Sequence, residues 1–252
     1  MAGGDRLSVD VEARPGSHVL LSTSAAERVY GSTGPDTRVS IRLRLEAGAR
    51  LAWLPREAIL FSGARLVRSL DVEMHASATL TLAEMTVFGR LAMEEELHHG
   101  RFADRWRIRR DGRLLHAERT HVEGPISRFL DRPAIGNGAR AAATAMLVSP
   151  QAEDRLDAVR SALDGAACEC GASAWDGMLV GRFLARDPAV LRADLVRFLL
   201  AASRGDLPHP WSSEHGISTV VDRETDIERS ASSMSDWPDL AMKEKAVEPD
   251  TA

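Results

Sequence analysis

The sequence predicts a mainly β protein: β-rich, with solenoid-like stacked strands and a small helical portion near the C-terminus. Three observations carry this reading. A repeat runs through the first 90 residues. Apolar and polar residues alternate with period two around the turn of each repeat. Helical periodicity of 3.6 residues appears only after Ser149.

The repeat aligns Glu12-Ala13-Arg14-Pro15-Gly16-Ser17-His18-Val19-Leu20-Leu21 with Arg44-Leu45-Glu46-Ala47-Gly48-Ala49-Arg50-Leu51-Ala52-Trp53 and with Val72-Glu73-Met74-His75-Ala76-Ser77-Ala78-Thr79-Leu80-Thr81-Leu82. Each copy reads as strand, tight turn at Gly16, Gly48 or Ser77, then strand. The pairs Val19/Leu21, Leu51/Trp53 and Leu80/Leu82 put alternate side chains on one face. The spacings are 32 and 29 residues. Such a period marks stacked units that bury one continuous core, with a series of unrelated hairpins as the alternative.

Residues 101–123 predict one further hairpin, with Trp106 and Ile108 alternating before the turn Asp111-Gly112. Ala141 to Ser149 predicts a strand, and Gln151 to Leu163 an amphipathic helix. Asp187-Pro188 is an N-cap followed by proline at the first helical position. The helix after it carries Val190, Leu191, Leu195, Val196, Phe198 and Leu199 on one face and ends near Gly205. Leu191 and Leu195, with the adjoining Trp211, offer apolar surface suited to a partner helix, unless that surface packs on the β core. After Trp211 the pattern dissolves. Residues 212–252 hold ten acids against four bases and few apolar residues, the composition of a disordered acidic tail. The expected division is therefore a folded domain over residues 1–211 and a tail over 212–252.

The chain is 252 residues long, 44% hydrophobic and 27% charged, as in an ordinary globular protein. A net charge of -5 and a pI near 5.9 give no electrostatic reason to expect nucleic acid as partner. No apolar run is long enough for a membrane span, and no signal peptide is evident. Two cysteines, Cys168 and Cys170, are too few for a disulfide framework. These features suit the cytoplasm.

Chemistry-bearing residues are sparse. Cys168 and Cys170 lack the second ligand pair of a structural metal site. The run from Glu94 to His99 mixes carboxylates and imidazoles, which suit nickel or zinc, but also reads as an exposed charged turn. His116 and His121 stand five positions apart and read as unrelated. No phosphate loop, glycine-rich nucleotide fingerprint or nucleophile elbow is present, so no catalytic residues are assigned and the chain does not read as an enzyme. The informative acids are Glu57 and Glu84, each interrupting an apolar stretch. A carboxylate in such surroundings needs a partner, water or a cation. Two readings stay open: a salt bridge to an arginine such as Arg56 or Arg90, or a polar path through the β core. Asp5, beside two glycines, is a third candidate.

Five segments, in order, resemble the urease accessory protein family UreD, also called UreH. They are Gly3-Gly4-Asp5-Arg6-Leu7; the stretch from Leu54 to Arg65; Leu82-Ala83-Glu84-Met85-Thr86-Val87-Phe88-Gly89-Arg90; Gly100-Arg101-Phe102-Ala103-Asp104-Arg105-Trp106 followed by Arg110-Asp111-Gly112-Arg113-Leu114; and Leu179-Val180-Gly181-Arg182-Phe183-Leu184. The resemblance implies a non-enzymatic scaffold and metallochaperone that acts with UreF, UreG and urease apoprotein subunits to insert nickel into urease. It implies no tightly bound cofactor, only nickel in transit. Glu57, Glu84 and Asp5 match family positions where acids occur and are the implied transient nickel ligands. The family carries further strands before the segment at Gly3 and usually ends near Trp211, so the resemblance implies a missing N-terminal segment and an acidic tail foreign to the pattern. A generic β-rich interaction module without a metal role is the alternative.

The tail holds too little apolar surface to offset the entropy of ordering it. Deleting residues 212–252 is expected to leave the thermal unfolding midpoint unchanged; a drop in that midpoint would show that the tail is docked.

Overall fold

A computed structural model describes residues 1–90, 93, 95–203 and 211. Glu94, the end of the last helix near Gly205 and the tail at 212–252 lie outside the described residues.

Each turn of the repeat carries the chain from one sheet to another. Arg6–Ala13 (β1) enters the turn at Gly16 and leaves it as His18–Leu21 (β2), followed by the short Glu27–Val29 (β3). Thr37–Leu45 (β4), Arg50–Trp53 (β5) and Ala58–Leu60 (β6) form the second coil around Gly48. Arg65–Met74 (β7) and the long Thr79–Phe88 (β8) form the third around Ser77. The strands before the turns pair in parallel in the first sheet, and those after the turns pair in parallel in the second. Arg6 lies beside Arg38 and Thr37 beside Leu66, which reproduces the spacings of the sequence repeat. The repeat is thus a stacked coil and not a set of hairpins. The turns stack as well: Gly16 N–H donates to Ala47 O at 2.9 Å, and Gly48 N–H to the Ser77 hydroxyl at 3.0 Å.

Gly100–Arg110 (β9) extends the first sheet in parallel to β7, and Arg113–Gly124 (β10) returns antiparallel to it. The turn between them has positive φ at both Asp111 (50°) and Gly112 (76°), the conformation that the Asp-Gly pair favours. Ile126–Leu130 (α1) is a single turn that the sequence did not announce. Ala141–Val148 (β11), the strand expected there, pairs antiparallel with β8. Leu156–Ala162 (α2) follows a 3-10 turn and falls inside the first predicted helix. Glu169–Trp175 (β12) and Met178–Ala185 (β13) form a hairpin around Asp176-Gly177 that sequence reading missed. The side chains of β12 are small or polar and show almost no apolar alternation. Pro188–Ser203 (α3) is the second predicted helix; Ala189 N–H donates to the Asp187 carboxylate at 2.8 Å, as the predicted cap requires.

The first sheet is ordered β1-β4-β7-β9-β10, and the second β12-β13-β11-β8-β5-β2, with β6 also beside β8 and β3 beside β6. Two apolar layers result. One lies between the sheets and includes Leu43, Leu66, Leu70, Leu80, Leu82 and Ile108. The other lies between the second sheet and α3 and includes Ala83, Met85, Ala143, Phe183, Leu195 and Phe198. Strands β8, β11 and β13 contribute to both, so their sequences run apolar with little alternation.

The surface proposed for a partner helix is corrected here. Leu191 and Leu195 are fully buried, and Trp211 is 2% exposed. All three pack in the layer over the second sheet, which they cover together with Val159, Leu156 and Leu163 of the α2 segment. Trp211 donates its indole N–H to Leu54 O at 2.7 Å, and the Arg192 guanidinium stands 4.8 Å from its ring centroid. Among the described residues no helix is long and apolar enough to cross a membrane.

Gly181 lets α3 approach the second sheet. A Cβ there would stand 2.6 Å from the Phe198 ring, which packs edge-on against Phe183 with centroids 5.7 Å apart. Gly181→Ala is expected to destabilise the fold by about 1–3 kcal/mol through overpacking, measured by denaturant unfolding. An unchanged midpoint would mean that the helix shifts freely.

Candidate functional site

The inward phase of β7 is apolar at Leu66, Leu70, Val72 and Met74, and is broken by Arg68. The inward phase of β9 is apolar at Phe102, Trp106 and Ile108, and is broken by Asp104. On β8, Glu84 breaks the same phase after Leu80 and Leu82. All three charged residues meet between the sheets. Arg68 and Asp104 are direct neighbours in the first sheet, and Arg68 Nη2 donates to Asp104 Oδ2 at 2.7 Å. Arg68 Nη1 reaches across the sandwich to Glu84 Oε2. Trp53 Nε1 donates to Glu84 Oε1 at 2.8 Å, and Trp106 Nε1 to Asp104 Oδ2 at 3.1 Å.

One guanidinium therefore serves two buried carboxylates. Burial pushes the Glu84 carboxyl up to about 7, against the opposing pull of Arg68 and of the Trp53 hydrogen bond. Burial also disfavours the charge on Arg68, but Asp104 and Glu84 outweigh it and raise its pKa. Glu27 of β3 adds a further acid close enough to act on both Arg68 and Glu84; burial raises its own pKa.

Arg68, Glu84 and Asp104 line a cavity of about 470 Å³ between the sheets. Strand register builds a polar lane from them to the rim. In the second sheet Glu84 stands beside Thr144, and Thr144 beside Arg182. In the first sheet Asp104 stands beside Thr120 of β10. All of these residues line the cavity, and its remaining walls include Phe88, Phe102, Leu130 and Phe183. At the rim Arg182 of β13 bridges to Glu118 of β10, with Nη2 2.8 Å from Glu118 Oε2, so one ion pair straps the edge strand of the first sheet to the second sheet. His116 is 3.4 Å from the same carboxylate. Burial opposes ionisation of Glu118, but the hydrogen bonds from His116 and Arg182 prevail and hold its carboxyl at about 2.

The three acids singled out in the sequence do not share this cavity. Glu84 lines it. Its cation is Arg68, and neither Arg56 nor Arg90 takes that role. Glu57 sits on the helix side of the second sheet, 3.1 Å from Arg192 of α3 and 3.9 Å from Arg56. Asp5 is exposed before β1, where its carboxylate accepts the Ala2 N–H at 2.7 Å. Among the three acids only Glu84 borders the cavity. The other candidates also resolve. Arg90 pairs with Glu95, and Glu96 lies 3.9 Å from His98. Cys168 and Cys170 are free thiols whose pKa values are raised, chiefly by burial. No cluster of three or more His, Cys, Asp or Glu suited to a metal occurs among the described residues.

Sequence reading missed Arg68, Asp104, Glu118, Thr144 and Arg182. A signal existed for Arg68 and Asp104, since each occupies an inward position of an alternating strand. That the two would meet, and meet Glu84, depended on the register between strands.

The model of the UreD urease accessory protein family matches residues 1–212. A urease accessory protein UreD of Xanthobacter autotrophicus is 45% identical over 213 residues, covering 84% of this chain and 74% of that protein. A urease accessory protein UreD 3 of Bradyrhizobium sp. strain BTAi1 is 46% identical over 211 residues, covering 84% and 76%. A urease accessory protein UreD of Methylobacterium sp. strain 4-46 is 45% identical over 218 residues, covering 84% and 77%.

The ionised rim pair stabilises the fold above pH 4.5, the ordinary value for glutamate, and its contribution is lost as pH falls through about 2. Glu118→Gln is expected to lower stability at pH 7 by about 1–2 kcal/mol, allowing for solvent screening of this partly exposed pair. Urea titrations at pH 7 and pH 3 check it: the difference between wild type and variant shrinks at the lower pH.

Proposed function

Because the chain belongs to the UreD urease accessory protein family, we propose that it is a non-catalytic scaffold for urease maturation, through which nickel passes on its way into the urease apoprotein. Its partners in this reading are UreF, UreG and the urease apoprotein subunits, and it works in the cytoplasm. No cofactor is held tightly; nickel is cargo.

The observation that carries the metal role is the polar lane of the candidate site. A mainly β scaffold stabilised by two apolar layers has no structural need for a cavity of about 470 Å³ floored by two carboxylates and an arginine. Buried charge of this kind is weak support for stability, since well-packed apolar residues of similar volume serve as well or better. Carboxylate and hydroxyl oxygens are hard donors that bind a divalent cation without the grip of a thiolate cage. That suits cargo that must be released. In this reading Glu84 is the transit ligand. Glu57 and Asp5, matched to the family's acidic positions, lie apart from the lane and act at other points along the route.

Glu84→Gln keeps the size of the side chain and removes its charge. The variant is expected to fold and to co-purify with UreF, while the nickel content of co-expressed urease falls several-fold. Metal analysis of urease purified beside wild-type and variant scaffold checks this. Full nickel loading with a soluble, assembled Glu84→Gln protein would remove Glu84 from the route.

A further inference from the structure

The carboxylates of Glu84 and Asp104 already hold a cation, and it belongs to the protein. Arg68 spans them, donating to one from each terminal nitrogen. The arrangement is nevertheless incomplete. Asp104 Oδ1 is buried in the cavity wall without a hydrogen-bond partner, although its side chain is only 10% exposed. Arg68 Nε is likewise buried without a partner. A charged oxygen left unmatched at such depth is costly, and here it borders a space large enough for a hydrated ion. Thr120 stands beside Asp104, and Thr144 beside Glu84, so hydroxyl groups flank both acids along the lane.

We infer that Glu84 and Asp104 form a divalent-cation site in which the Arg68 guanidinium is a resident competitor. An incoming cation meets the open Asp104 Oδ1 at once, but gains Glu84 Oε2 and Asp104 Oδ2 only by displacing Arg68. Affinity is thereby lowered by the strength of the internal salt bridges, and departure is assisted when the guanidinium returns. Arg68 turns what would otherwise be a trap into a transfer site. This rests on the passage reading for its biological use, but the competition itself is a property of the chain alone.

The test is calorimetric titration of Ni²⁺ into the full 252-residue chain. Arg68→Gln is expected to bind one Ni²⁺ roughly tenfold or more tightly than wild type. The double variant Arg68→Gln/Asp104→Asn is expected to lose that gain, which separates the site from histidines elsewhere. Equal affinity in wild type and Arg68→Gln, or a gain that survives in the double variant, overturns the inference. If Arg68→Gln folds poorly by itself, Ni²⁺ in the refolding buffer is expected to restore soluble protein and to raise its unfolding midpoint with concentration; failure to do so also overturns it. Nickel content of co-expressed urease is read on the same variants. A gain in affinity at Arg68→Gln together with normal loading by Glu84→Gln would uphold the site and refute the passage role, so the two readings fail separately.

Discussion

Strand β8 is buried on both faces, and most of the structure answers to that. One face meets the first sheet and the other meets α3, so nearly every side chain on it must be apolar or matched. Glu84 is the one charged residue on the strand. A lone carboxylate in such a layer is costly unless it is hydrogen-bonded and paired. The match comes from across the sandwich, from Arg68, and from Trp53 on the neighbouring strand β5. That pairing ties the sheets together at the same depth at which the cavity ends.

Double-sided burial also explains the helical layer. Small residues on β11 (Ala141, Ala143, Ala145) and Gly181 on β13 lower the surface of the second sheet, so α3 comes close enough for Phe198 to enter. Leu191, Leu195 and Trp211 complete the same layer. The ion pair between Glu57 and Arg192 ties the loop before β6 to that helix. Leu191, Leu195 and Trp211, expected as a docking surface, and Glu57 are thus joined to the same helical layer.

Between the layers, charge is arranged with a gradient of exposure. The innermost cluster shares one cation between two acids, while the rim pair of Glu118 and Arg182 is partly solvated and balanced. Charge therefore runs from a balanced pair at the rim to a cluster inside with more acids than cations.

The linear sequence by itself determined the coils. Period-two alternation and turn residues at Gly16, Gly48 and Ser77 are local signals, and they fixed the stacking at 32 and 29 residues because side-chain direction in a strand depends only on position. The hairpin at Asp111-Gly112 and the helix capped by Asp187 were legible for the same reason: their determinants are adjacent in the chain. The hairpin of β12 and β13 was not, because β12 has too little apolar contrast to show a period. That Glu84 was an anomaly could be read from its neighbours. Its partners could not, since Arg68 is 16 residues away and Asp104 is 36 from Arg68. Only the parallel register of β7 with β9, and the packing of one sheet on the other, brought them together. The tertiary structure likewise assigned Glu57 to the helix side and Asp5 to the surface, because an acid's position along the chain does not say which face of which sheet it will share.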